Sequence, residues 1–178
     1  MDFNPIYVYV DGSCEDNRNV TSDTSAGWGF CVIDGDNGLG KGQGNLIYEE
    51  SGKVETNSRF KNFLGADVGS NNTAELSAIA YALRWLLLDH TDRPAIIRGD
   101  SQYAMNIAKG IWKAKANRKL ALRVQKLWSE VESVKSIKCE HVRAHRGHRW
   151  NERADHLAFR VMKGNNALPL QFWKPGNR

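Results

Sequence analysis

The stretch that most constrains this chain is Ile6-Tyr7-Val8-Tyr9-Val10, an unbroken run of β-branched and aromatic residues followed at once by Asp11-Gly12-Ser13-Cys14. A strand apolar at every position has both faces covered, so the run predicts a central strand with helices on either side. Asp is poorly suited to a strand, which places Asp11 at its end. Gly12 permits a sharp turn or a close approach of the backbone to a ligand. A carboxylate at the carboxyl end of a central strand lies where open α/β sheets place their ligands. Taken alone, Asp11-Gly12-Ser13 also suits an ordinary turn. Other carboxylates converging on the same point would decide between the two readings.

The rest of the chain supplies elements in a definite order. Ala26 to Ile33 reads as a second strand, stopped by Asp34-Gly35-Asp36-Asn37-Gly38, and a third lies within Gly44 to Glu50. The glycines between them suit hairpin turns, and more extended chain is expected from Lys53 to Phe63. Ala74, Ala78, Ala82 and Leu86, with Leu76, Ile79 and Leu83, form a broad helical face, with Asn72 or Thr73 as its cap. Ala95 to Gly99 is a short strand ending at Asp100. A helix from Ser101 to Lys109 follows, then one from Arg118 to Glu132 capped by Asn117, then a strand from Ser136 to Val142. The last helix begins near Asn151, and residues 165–178 read as a tail after a domain of residues 1–164. Three strands able to pair as a meander, followed by alternating helix and strand, predict an α/β fold with a mixed sheet.

Composition narrows the partners. A length of 178 residues fits one domain, and the net charge of +5, from 25 basic and 20 acidic residues, leans toward an anionic partner. From Ser101 to Ser129 there is no acidic residue, while Lys109, Lys113, Lys115, Arg118, Lys119, Arg123 and Lys126 all fall there. Cys14, Cys31 and Cys139 are scattered and odd in number, which suggests neither a disulfide framework nor a thiolate zinc site. No apolar run reaches membrane-spanning length, so an intracellular, soluble protein without membrane contact is expected.

Four acids sit at comparable places. Asp11 and Asp100 end strands, Glu75 lies in the first turn of the first helix, and Asp155 in the second turn of the last. Neighbouring parallel strands put Asp11 and Asp100 side by side, and helices crossing the sheet can present Glu75 and Asp155 to the same edge. Clustered carboxylates repel and need a cation. An all-oxygen site selects magnesium or manganese, and two such ions about 4 Å apart can drive phosphodiester cleavage. Each acid also has a plain structural reading: Asn72 to Glu75 matches a capping box, Asp100 can cap the helix after it, and Asp155 can be a solvated helix acid. The coincidence of all four in this order favours the shared site.

These residues carry a resemblance. Tyr9-Val10-Asp11-Gly12-Ser13-Cys14, Asn71-Asn72-Thr73-Ala74-Glu75-Leu76, Gly99-Asp100-Ser101-Gln102-Tyr103, and His145-Arg146-Gly147-His148 followed by Asn151-Glu152-Arg153-Ala154-Asp155 resemble type I ribonuclease H from Ile6 to Val161. The resemblance implies a five-stranded mixed sheet flanked by helices. It implies hydrolysis of the RNA strand of RNA/DNA hybrids with two magnesium ions, manganese able to substitute, leaving 5′-phosphate and 3′-hydroxyl ends. It makes Asp11, Glu75, Asp100 and Asp155 the metal ligands and His145 the catalytic histidine of a flexible loop. It sets Gly12, Ser13, Cys14, Asn17, Asn71, Asn72 and Gln102 near minor-groove contacts, and Ser70 and Asn117 near the DNA backbone. The partner is an RNA/DNA hybrid and the expected state a monomer.

The chain departs from that family in three places, one of them a longer insertion between the second strand and Glu75. Asp67-Val68-Gly69 stand where a basic residue usually precedes the Asn pair. The segment from Asp100 to Trp128 is too short for the extra helix and basic handle of many members. Trp112 with the surrounding lysines either substitutes for that handle, through ion contacts and stacking, or packs in the core. Cys139, His141, His145 and His148 raise a zinc alternative, but Cys139 and His141 alternate with Lys138 and Glu140 as one strand face, which suits a core role. A DNA-acting nuclease of the same fold and a non-catalytic hybrid-binding module remain the competing functions.

Overall fold

The computed structural model describes residues 4–89 and 91–178. Five strands and four helices follow the order β1 (Ile6–Cys14), β2 (Ala26–Asp34), β3 (Asn45–Lys53), α1 (Asn71–Leu88), β4 (Ala95–Gly99), α2 (Gln102–Ala108), α3 (Arg118–Glu132), β5 (Ile137–His141) and α4 (Arg149–Met162), with a 3₁₀ turn at Leu170–Phe172. The sheet order is β3-β2-β1-β4-β5. β1 pairs antiparallel with β2 and parallel with β4, which pairs parallel with β5. Among the described residues no helix is long and apolar enough to cross a membrane.

β1 is central because its two faces serve two cores. Ile6, Val8 and Val10 pack with α1, α2 and α3 residues, while Tyr7 and Tyr9 pack with Trp150, Ala154 and Leu157 of α4. The period of two along a strand makes this division automatic. Each buried Ile, Leu or Val contributes about 1.5–3 kcal/mol through removal from water.

β1 runs past its expected end. Asp11 pairs with Gly29 and the ladder continues to Cys14 opposite Ala26, so Asp11 is a strand residue. Backbone pairing with β2 outweighs the weak strand preference of Asp-Gly-Ser. β3 likewise reaches Lys53, after which the chain leaves the sheet and turns between Ser58 and Asn62. β5 is shorter than the run from Ser136 to Val142, and α4 starts two residues before Asn151, with the His148 ring as its cap.

The cap of α1 is neither Asn72 nor Thr73. Ser70 is the N-cap: its Oγ accepts from the Thr73 amide at 3.1 Å, and Thr73 Oγ1 accepts from the Ser70 amide at 2.8 Å. This reciprocal pair leaves Glu75 without a capping task and moves it to the second turn. Ser101 caps α2 through the Ala104 amide at 3.1 Å, so Asp100 is not its cap. Asn117 does stand at the N-cap of α3, but in left-handed backbone (φ 56°) and without a side-chain cap bond.

α4 sits close to the sheet because β2 lacks side chains beneath it. A Cβ on Gly29 would lie 2.7 Å from Leu157 Cβ, and one on Gly27 2.5 Å from the Ala158 carbonyl oxygen. Arg153, 1% exposed, then locks α4 to β3 by forking onto Glu49 at 2.7 and 2.8 Å. Residues 165–178, expected as a tail, dock on α4: Trp173 is buried, and Arg153 Nη1 and His156 Nε2 bond the backbone of Leu168.

Candidate active site

Three elements deliver three carboxylates to one point. The parallel register sets Tyr9 opposite Arg98, so two residues further along both chains Asp11 lies level with Asp100. α1 approaches β1 because Gly12 has no side chain; a Cβ there would come within 2.5 Å of the Glu75 nitrogen. The result is a trio, Asp11, Glu75 and Asp100, each with a carboxylate oxygen within 4.8 Å of the others. Asp11 and Glu75 are buried, Asp100 half-buried.

The trio opens into a cleft of about 480 Å³, also lined by Gly12, Asn71, Ser101, His141, Arg143, His145, Asp155 and Arg178. Asp155 therefore shares the cleft but stands outside the trio, its carboxylate turned to Arg178 at 3.0 and 3.1 Å. His145 also lines the cleft and is exposed, in left-handed backbone at φ 55°, with Gly147 two residues on at φ 76°. That conformation is uncommon for a residue with a Cβ.

The electrostatics state what the cluster lacks. Burial first, and then the neighbouring charges of Glu75 and Asp100, hold the Asp11 carboxyl well above the usual range. Burial also pushes Glu75 up, to about 8, with Asp100 adding to the rise. Asp100 is raised by burial and by Asp155, and partly offset by His145 and His141. Three acids that resist ionising together form a site that a hard cation would complete. The donor set is all oxygen, which fits magnesium or manganese and disfavours zinc. Among the described residues Cys139, His141, His145 and His148 do not come together as a cluster.

The core role expected for His141 fails. Its ring is exposed at the cleft, with Nε2 3.2 Å from the Asp100 carbonyl oxygen, because β5 is the sheet's edge and ends there. Cys139, on the same strand face, is half-buried against the core. His148 is buried on the far side of the sheet, 3.3 Å from the Tyr9 hydroxyl, and burial lowers its pKa.

Of the other expected positions, Gly12 and Asn71 line the cleft. Asn71 and Asn72 are exposed in the first turn of α1, and Gln102 is exposed at the start of α2. Asn17 Oδ1 accepts from the Asn71 amide at 2.9 Å and so ties the β1–β2 loop to α1. Ser13 is buried, and Cys14 Sγ lies 3.8 Å from the Gly69 carbonyl oxygen. Trp112 is 46% exposed, which removes the core alternative. It lines a second cleft with Asn72, Tyr103, Ile111, Lys113 and Lys115.

Comparison with known proteins gives this geometry a family. The RNase H profile matches residues 4–163. The chain belongs to the RNase H family. It is 31% identical over 169 residues to the ribonuclease H of Cupriavidus necator, a match covering 87% of this chain and 93% of that one. The ribonuclease H of Thermosynechococcus vestitus is 29% identical over 169 residues, 88% of each chain. The match to the Tropheryma whipplei ribonuclease H is 39% over 104 residues, spanning 53% of this chain and 63% of that relative. RNase H1 from the halophilic archaeon Halobacterium salinarum shares the fold, with a TM-score of 0.64 at 23% identity over 90% of this chain and 99% of that one. So does LC11-RNase H1, solved in complex with an RNA/DNA hybrid, at TM-score 0.63 and 21% identity, covering 89% and 97%.

Several members of the site were not among the residues singled out from the sequence. Gly29 pairs with Asp11 and admits α4, but a glycine in a strand carries no distinctive signal by itself. Glu152 bonds the Gly147 amide at 3.2 Å and so holds the His145 loop. Arg178 reaches the cleft from 23 residues beyond Asp155, a distance over which periodicity is silent.

Proposed function

We propose that this RNase H family chain is an endonuclease that cuts the RNA strand of RNA/DNA hybrids, leaving 5′-phosphate and 3′-hydroxyl ends. The observation that carries the reading is the trio of Asp11, Glu75 and Asp100 within 4.8 Å, opening beside His145 and Asp155. Membership of the RNase H family and the hybrid bound to LC11-RNase H1 support it. In this proposal residues 1–164 carry the carboxylates and His145, the docked residues 165–178 complete the cleft through Arg178, and the chain acts as a monomer.

The four carboxylates would hold two divalent cations, magnesium in the cell. Such a pair, when bound, supplies a water acidic enough to attack phosphorus and a counter-charge for the leaving 3′ oxygen. The protein's own groups do the rest. Asp11 and Asp100, fixed by paired strands, define where the cleaved phosphate sits. His145, on a loop at the rim, can move a proton or help the product leave. Gly12, Ser13, Cys14, Asn17, Asn71, Asn72 and Gln102 are the candidates for reading the 2′-hydroxyls of a wide, shallow minor groove.

The DNA strand falls to Ser70 and Asn117. Asn117 is the better placed, since the Ser70 hydroxyl is engaged by the Thr73 amide at 3.1 Å and Asn117 makes no cap bond. Exposed Trp112, flanked by Lys113 and Lys115, offers a stacking face within a basic rim and stands in for the missing handle.

A magnesium-dependent cleavage assay on hybrid, duplex DNA and duplex RNA tests the proposal. Hybrids with four or more consecutive ribonucleotides should be cut inside the ribose run, and both duplexes spared. Comparable cutting of duplex DNA would install a DNA nuclease in its place, and hybrid binding without any cleavage a passive binding module.

A further inference from the structure

Asp155 differs from the other three acids in what holds it. Arg178 forks onto it, Nη2 to Oδ1 at 3.0 Å and Nε to Oδ2 at 3.1 Å. The two-point geometry is the strong form of an Arg–carboxylate pair. The guanidinium carbon also lies 4.4 Å from the centre of the Phe159 ring, one turn further along α4.

The segment that delivers Arg178 is itself anchored. Trp173 is buried, and its Nε1 donates to the Asn177 carbonyl oxygen at 2.9 Å. The same oxygen lies 3.2 Å from His156 Nδ1. Glu152 accepts from the Gly176 amide at 2.6 Å with one oxygen and from the Gly147 amide at 3.2 Å with the other. One side chain thus couples the Arg178 segment to the loop that carries His145.

A carboxylate forked by a guanidinium has one lone pair on each oxygen engaged. A divalent cation that takes Asp155 as a ligand must either share it with the positive charge of Arg178 or displace that charge. The pair is partly solvated, with side chains 47% and 15% exposed, so it contributes little to folding. Its consequence falls on the cleft.

We propose that Arg178 is a positioning residue for Asp155, an exchangeable counter-ion that holds the carboxylate while no cation is bound and competes with the cation for it. Arg178 thereby sets the divalent-ion affinity of the site. This inference rests on the reading of Asp155 as a metal ligand.

Calorimetric measurement of Mn²⁺ binding without nucleic acid tests it on the wild type, Arg178→Ala, Arg178→Lys and Asp155→Asn. Arg178→Ala should bind Mn²⁺ about two- to fivefold more tightly, the range a partly exposed ion pair supports. Arg178→Lys keeps the charge but not the fork and should fall between Arg178→Ala and the wild type. The cation concentration for half-maximal hybrid cleavage should drop by the same factor in Arg178→Ala. Unchanged or weaker Mn²⁺ binding in Arg178→Ala, with Asp155→Asn clearly weakened, overturns this inference and leaves the metal site intact. Wild-type Mn²⁺ binding in Asp155→Asn overturns both.

Discussion

The two walls of the cleft are held by different means. On one wall Asp11, Glu75 and Asp100 stand on paired strands and a capped helix whose other faces form the main core. On the other, α4 is packed on the sheet through Trp150, Ala154 and Leu157, but the Asp155 carboxylate and the loop of His145 are secured by polar contacts to Arg178 and Glu152. The first wall fixes charges where they repel one another, with the surrounding core opposing their separation. On the second, the Asp155 carboxylate and the His145 loop are held by a few exchangeable hydrogen bonds. A site that, as proposed, binds a cation, takes a long substrate and releases a cut strand has use for both properties.

If the first wall is the catalytic one, substitution there should be close to fatal. Asp11→Asn and Asp100→Asn should each reduce magnesium-dependent hybrid cleavage by at least about 10³-fold, since several kcal/mol of charge stabilisation depend on the bound cations. Circular dichroism should remain native. Near-wild-type turnover in either variant would show that the rigid wall does not carry the chemistry.

The wall held by polar contacts should be more forgiving. His145→Ala should slow turnover by about 10²-fold, the lower range of acid–base assistance, and leave Mn²⁺ affinity unchanged. A loss as large as that of Asp100→Asn would erase the distinction between the walls. A loss of metal affinity would make His145 a ligand.

The smallest expected effect concerns stability without metal. Asp11 and Glu75 have folded-state pKa values raised above those of the unfolded chain. The folded protein therefore binds more protons, and this cluster's contribution to stability declines as pH rises from the ordinary carboxylate range to about 8 for Glu75. Asp11→Asn removes one repelling charge. In EDTA, urea melts should show it gaining on the wild type as pH rises toward about 8, with the gap closing near pH 4. A gap that does not vary with pH would mean that the rigid wall tolerates its charges.

Much of this arrangement was legible in the residues. The unbroken apolar run of β1 required cover on both faces, and the Tyr7/Tyr9 and Ile6/Val8/Val10 sets supply the two cores. The apolar face of α1 was readable because Ala74, Ala78, Leu83 and Leu86 recur at helical spacing, and all are buried. The cap was misplaced by two or three residues because Ser, Asn, Asn and Thr in succession are all competent caps. Only the Ser70–Thr73 pairing selects one of them. The end of β1 was misplaced for a related reason: propensity argues locally, and β2 pairs with Asp11 regardless.

By itself, the sequence determined which side chains were available and their order: two acids after parallel strand runs, two on helices, a histidine in a glycine-bearing loop, and a basic stretch without acids. Covalent order and periodicity settle such matters because they act between near neighbours. Tertiary structure alone decided that α4 would lie close enough to β2 to share a cleft with Asp11, since that depends on the missing side chains of Gly27 and Gly29. It also decided that Asp155 would face Arg178 in place of the trio. A charge pair separated by 23 residues leaves no periodic trace. It forms because the packing of Trp173 and the bonds to Glu152 and His156 bring the guanidinium within reach.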